Sequence, residues 1–172
     1  RLPSRLLMVL ACGVSSSFMA TSLEQQLENE ILAHFGYREL KPHQLFLMSY
    51  RLAQGNIYLA LLTIENLLSQ FWWAKKDRDQ WAVTLRLAPI INTYLGLGDH
   101  FGAWYHFFGA ILMAYVEGKN RTTMALEFET IGSQRSSLSF DRQEEYVGLI
   151  GVQIGVGLAN LLFNFNSDLL SA

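Results

Sequence analysis

Residues 99–118 read DHFGAWYHFFGAILMAYVEG. Set about 100° apart around a helix, they separate into two faces of different character. Asp99, Gly102, His106, Gly109, Met113 and Glu117 share one face, and Trp104, Phe107, Phe108, Ile111 and Tyr115 share the other. The aromatic face is large enough to anchor a core. Asp99 suits the N-cap and Gly118 the C-terminal stop. The pattern predicts a helix over 99–117 that is the centre of an all-α fold. His100 falls among the aromatics and reads as packing.

The next element outward is the last one. The pair Asp141 and Glu144 gives a capping signal ahead of a long helix predicted over 142–165. On it, Gly148, Gly151, Gly155 and Ala159 form a smooth stripe, which lets a neighbouring helix approach closely. Arg142, Tyr146, Gln153, Gly157, Asn160 and Asn164 line up as a second, polar stripe. The 20 residues from Tyr146 to Phe165 carry no charge, about the length that crosses a bilayer. A buried bundle helix with a polar edge is preferred, because Glu65 and Arg86 interrupt the other apolar runs. The competing expectation is a small integral membrane protein with spans near 101–116 and 146–165.

Punctuation supplies the remaining helices, and no strand-like alternation lasts long enough to compete. Ser22 with Gln25, or Thr21 with Glu24, caps a helix that ends at Gly36. Pro42 opens a helix to about Ala53, stopped by Gln54-Gly55-Asn56, and Asn56 can cap a third over 57–73. A helix with a break at Pro89 is predicted over Trp81 to Tyr94, and a short one over Thr122 to Ile131. Gly132 through Phe140 reads as a serine-rich loop, and the tail from Asn166 as frayed. The segments around Gly55 and Gly98 resemble each other weakly, as αα-hairpins do; two imperfect copies are too few for a helical repeat array. The expected fold is a single compact bundle of about five to seven helices over 23–172, closed by a glycine-rich, closely packed C-terminal helix.

Length and composition agree with one domain. The 172 residues are 51% hydrophobic and 16% charged, against about 25% charged in an ordinary domain, so the core is large or some surface meets lipid. The net charge is -2, and no basic cluster exceeds two adjacent residues, which argues against nucleic acid as a partner. Cys12 is the one cysteine, which excludes an intrachain disulfide and thiolate zinc sites.

The position of that cysteine is informative. Arg1 and Arg5 precede an uncharged run, the order of an export signal, so 1–22 is expected to be a signal or an N-terminal membrane anchor. Within it, VLACG at 9–13 resembles a bacterial lipoprotein cleavage site with Cys12 as the acylated residue. Cleavage near Ser22, or a retained helix, are the alternatives.

The order Asp99, His106-Phe107-Phe108-Gly109, Gly118, Ala125, Glu127/Glu129, Gly132, Asp141, Gly151 and Gly155 resembles YfiM-type small helical lipoproteins and, more distantly, VanZ-like membrane domains. The resemblance covers about 98–160. Where those proteins have a Lys-Glu pair, this chain has Leu126-Glu127. It implies an exported protein at the periplasmic side of a membrane.

Two functions compete. One is a non-catalytic envelope component that binds lipid, another envelope protein or a second copy of itself. The other is an envelope hydrolase in which His106 acts as base or metal ligand, assisted by Glu127, Glu129 and Asp99 or Asp141. If His106 is structural, it is instead a buried histidine hydrogen-bonded to Glu127 or Glu129. One histidine with carboxylates falls short of three convergent metal ligands, and the sequence has no nucleophile elbow, phosphate loop, HExxH or dinucleotide fingerprint. Neither metal nor cofactor is expected, and the non-catalytic reading is preferred.

Overall fold

Local chemistry starts the first three helices. In the computed structural model, which describes residues 21–73, 81–90, 100–135 and 142–170, Ser22 caps α1 (Leu23–His34), its hydroxyl accepting from the Gln25 amide at 3.2 Å. Pro42 opens α2 (Pro42–Leu52), where its missing amide is no loss. A turn through Gln54 and Gly55, both at positive φ, reverses the chain, and Asn56 Oδ1 then accepts from the Leu59 amide to cap α3 (Ile57–Trp73). The remaining helices are α4 (His100–Glu117), α5 (Lys119–Arg135) and α6 (Arg142–Leu170). Gly118, at φ +82°, makes the sharp corner between α4 and α5. These six helices, with no strand among the described residues, form the expected all-α bundle.

α4 is its axis. Trp104, Phe108 and Ile111 are fully or almost fully buried, packed with Leu27 and Ile31 of α1, Leu45 of α2, and Leu61, Ile64, Leu67 and Leu68 of α3. Each such side chain contributes about 1.5–3 kcal/mol by leaving water. The closest pairing is α4 against α6. There two residues of the predicted glycine stripe, Gly151 and Gly155, meet α4 directly. A Cβ placed on Gly151 would stand 2.6 Å from the Phe107 carbonyl oxygen and 2.9 Å from Ala110 Cβ, and one on Gly155 would overlap the Ile111 carbonyl. Gly148 instead faces the Leu126 side chain of α5 at 3.3 Å, and Ala159 is half-buried. The polar stripe faces outward, with Tyr146, Gln153, Gly157 and Asn160 all exposed.

Four expectations need correction. Over 81–90 the chain is not an α-helix: it has one 3-10 turn at Thr84–Arg86, and Leu87 pairs in parallel with Leu40. Arg38 N–H donates to Leu85 O at 2.9 Å, Leu40 N–H to Arg86 O at 2.9 Å, and Ala88 N–H to Leu40 O at 2.8 Å. Pro89 cannot continue a helix and keeps Ala88 extended. Burial of Trp81, Val83 and Leu87 holds this strap to the core. Second, α5 runs through Gly132 to Arg135, because an interior glycine costs a helix only about 1 kcal/mol. Third, α6 continues past Asn166 to Leu170. Finally, no described helix is long and apolar enough to cross a membrane, so none supplies the spans expected near 101–116 and 146–165. The 1–20 segment with Cys12, together with Asp99 and Asp141, lies outside the described residues.

Candidate functional site

Because α4 is packed on several sides, its two flanks open onto different spaces. One is a cleft of about 310 Å³ between α3, α4 and α5, with Glu65 from α3, Tyr105, His106, Gly109 and Met113 from α4, and Thr122 and Leu126 from α5 along its walls. The other is a groove of about 400 Å³ between α2, α4 and α6, walled by Pro42, Phe46, Phe107, Phe108, Ile154 and Leu158.

The groove is almost wholly apolar. Phe107 and Phe108 form its buried floor, while Ile154, 39% exposed, and His43 stand at its edges. Among the described residues of its lining, none other than the exposed His43 could orient a polar ligand.

The cleft is chemically different, and Glu65 makes it so. Its carboxyl is largely withdrawn from water and receives a hydrogen bond from the Tyr105 hydroxyl, while Oε2 is buried with no hydrogen-bond partner among the described residues. Burial outweighs the Tyr105 bond and pushes the Glu65 carboxyl up from 4.5 to about 7. Gly109 lies directly opposite: a Cβ there would stand 3.5 Å from Oε1, so the missing side chain leaves the carboxylate open to the cleft. His106 is half-buried beside it, its ring edge-on to Tyr105 at 6.0 Å between centroids. The Thr122 hydroxyl donates to Gly118 O at 2.9 Å and is therefore a poor nucleophile. Near neutral pH such a site can take up or release a proton at Glu65, and it can accept hydrogen bonds from a ligand.

A pH dependence of stability follows. A carboxyl raised in the folded state binds its proton more tightly there than in the unfolded chain, so its ionisation favours unfolding. Stability should fall as pH rises from about 4.5 to about 7, by on the order of 3 kcal/mol for this group. Glu65→Gln should flatten that slope and melt higher than wild type at pH 8. Parallel melts at pH 5 and pH 8 measure it, and an unchanged slope would remove Glu65 as the cause.

Of the residues expected from sequence, the structure puts His106 in this cleft. Glu127 is exposed and outside its lining, where Leu126 takes part instead. Glu129 lies on α5 with its side chain outside the described set, as is Asp141 altogether. Among the described residues, no group of three His, Cys, Asp or Glu is placed to hold a metal ion. From sequence alone Glu65 marks only a buried helix, and Tyr105 carries no signal of a site. The available signal was a lone carboxylate in the middle of an apolar helix, which requires a partner or a purpose. Comparison with known protein families, with curated proteins and with solved structures finds no match.

Proposed function

We propose that this chain is a non-catalytic helical binding protein of the bacterial cell envelope whose apolar groove accepts a single lipid acyl chain. The carrying observation is the groove itself, about 400 Å³ between α2, α4 and α6 with an aromatic floor and, among the described residues, no interior group that could bind a polar ligand. Ligand pockets commonly hold about 300–1,000 Å³ and are mainly apolar. Such a lining recognises its ligand by buried hydrocarbon, at about 0.8 kcal/mol for each methylene. A flexible chain fits a groove built from side chains of three helices better than a flat polar ligand does. Export toward a membrane is supported by Arg1, Arg5 and the uncharged run around Cys12, and by the resemblance to small helical lipoproteins. Both would place the groove near a supply of lipid.

Titration with cis-parinaric acid, a fluorescent fatty acid, tests the reading. Saturable binding is expected, weakened at least tenfold by Ile154→Glu, a substitution on a partly exposed position that the fold should tolerate. Binding of equal strength in the folded variant would defeat the proposal.

A further inference from the structure

The cleft on the opposite flank of α4 has features that acyl-chain binding does not use. A carboxylate oxygen, Glu65 Oε2, is buried there without a hydrogen-bond donor among the described residues, at the edge of a ligand-sized space. An unmet buried acceptor is costly, by about 1–3 kcal/mol and more for a charged group. Helical proteins can remove that cost by substituting an apolar residue, so keeping the carboxylate implies something that satisfies it. Among the described residues no Lys or Arg lines the cleft, and His106 is the lining group that could carry positive charge. Gly109 leaves α4 without a side chain at the point nearest Glu65 Oε1. The rest of the wall from Ala110, Met113, Ala125 and Leu126 is apolar. Three convergent ligands for a metal ion are not found among the described residues.

We propose that this cleft binds a small organic ammonium compound, its N–H donated to the Glu65 carboxylate and its apolar body lying against Met113, Ala110 and Leu126. A cationic donor adds a charge-assisted hydrogen bond to the carboxylate beside the one from Tyr105. A cation beside Glu65 favours its ionised form and so opposes the burial that raises its carboxyl. The wall chemistry sets the ligand class: a compact hydrocarbon or aromatic body with a primary amine, small enough for about 310 Å³. This site is separate from the acyl groove, and neither proposal depends on the other.

Calorimetric titration of the full chain at pH 8 with benzylamine, benzyl alcohol and phenylacetate is the experiment. Benzylamine should bind saturably, and the neutral and anionic analogues at least tenfold more weakly. Glu65→Gln, shown by circular dichroism to be folded, should lose at least tenfold in benzylamine affinity. Should that variant not fold, Ala125→Phe serves in its place, filling the cleft from α5 and abolishing binding. The proposal is overturned by absence of benzylamine binding to the wild-type chain, by equal binding of benzyl alcohol, or by undiminished binding in the folded variant.

Discussion

Replacing Gly155 by leucine is expected to lower the melting temperature by roughly 6–12 °C, the equivalent of about 3 kcal/mol in a domain of this size. The cause is backbone, which cannot move aside as a side chain can. A Cβ at Gly155 would overlap the Ile111 carbonyl oxygen and stand 2.8 Å from Ala114 Cβ, so even alanine forces α6 away from α4. Separation of these two helices loosens the satellite core of Ala110, Ala114 and Val152 between them. Gly151 should behave alike, being 2.6 Å from the Phe107 carbonyl by the same construction. Gly157 is the control on the same helix, since its Cβ would meet open space. Gly157→Ala should be neutral or raise stability by up to about 1 kcal/mol through helix propensity. Thermal melts of the four proteins give the comparison. A Gly155→Leu variant as stable as wild type would mean that α4 and α6 are not in contact here.

Trp104→Ala should be costlier still, at about 4 kcal/mol or more. Trp104 is completely buried, with its ring 6.0 Å from that of Phe108, so truncation opens a large cavity in the centre of the bundle. It also carries a specific polar duty. Its indole N–H donates to the Ala88 carbonyl at 2.8 Å, and that acceptor loses its partner in the variant. A loss of this size is a large part of the 5–15 kcal/mol that stabilises an ordinary domain. Trp104→Phe separates the two contributions, because it retains most of the apolar volume and lacks the donor; about 1–3 kcal/mol should remain. Urea denaturation of the three proteins measures both steps. A loss below about 1 kcal/mol for Trp104→Ala would contradict its placement at the core.

What could be read from sequence was whatever neighbouring residues decide among themselves. Ser22 and Asn56 accept amide hydrogens three residues ahead, and Gly118 adopts a conformation that most side chains avoid; each signal is complete within one turn. The aromatic face of α4 and the stripe of α6 were legible for the same reason, since helical periodicity fixes which residues share a side. The segment 81–90 was misread because its alternation of Trp81, Val83, Leu85 and Leu87 is short and ends at Pro89, and its partner Leu40 is remote in sequence. The cleft was illegible for a related reason. Glu65 and Gly109 meet only because α3 crosses α4 at that height, and no local pattern encodes a crossing point. His106 was identified, yet the carboxylate that shares its cleft comes from an earlier helix than the ones considered.

The strap over 81–90 gives this protein a property that most helical bundles lack. Helical backbone bonds join residues a turn apart, so they survive, and the far-ultraviolet signal with them, when helices stay formed but lose their packing. The amides of Arg38, Leu40 and Ala88 are different: their acceptors, Leu85, Arg86 and Leu40, are supplied by the other side of the strap, and they exist only when the α1–α2 connection and the entry to α4 are docked together. Helix content therefore reports how much of the chain is coiled, while these three amides report whether the molecule is assembled. A molten form and the native form would look alike by the first criterion and differ fully by the second.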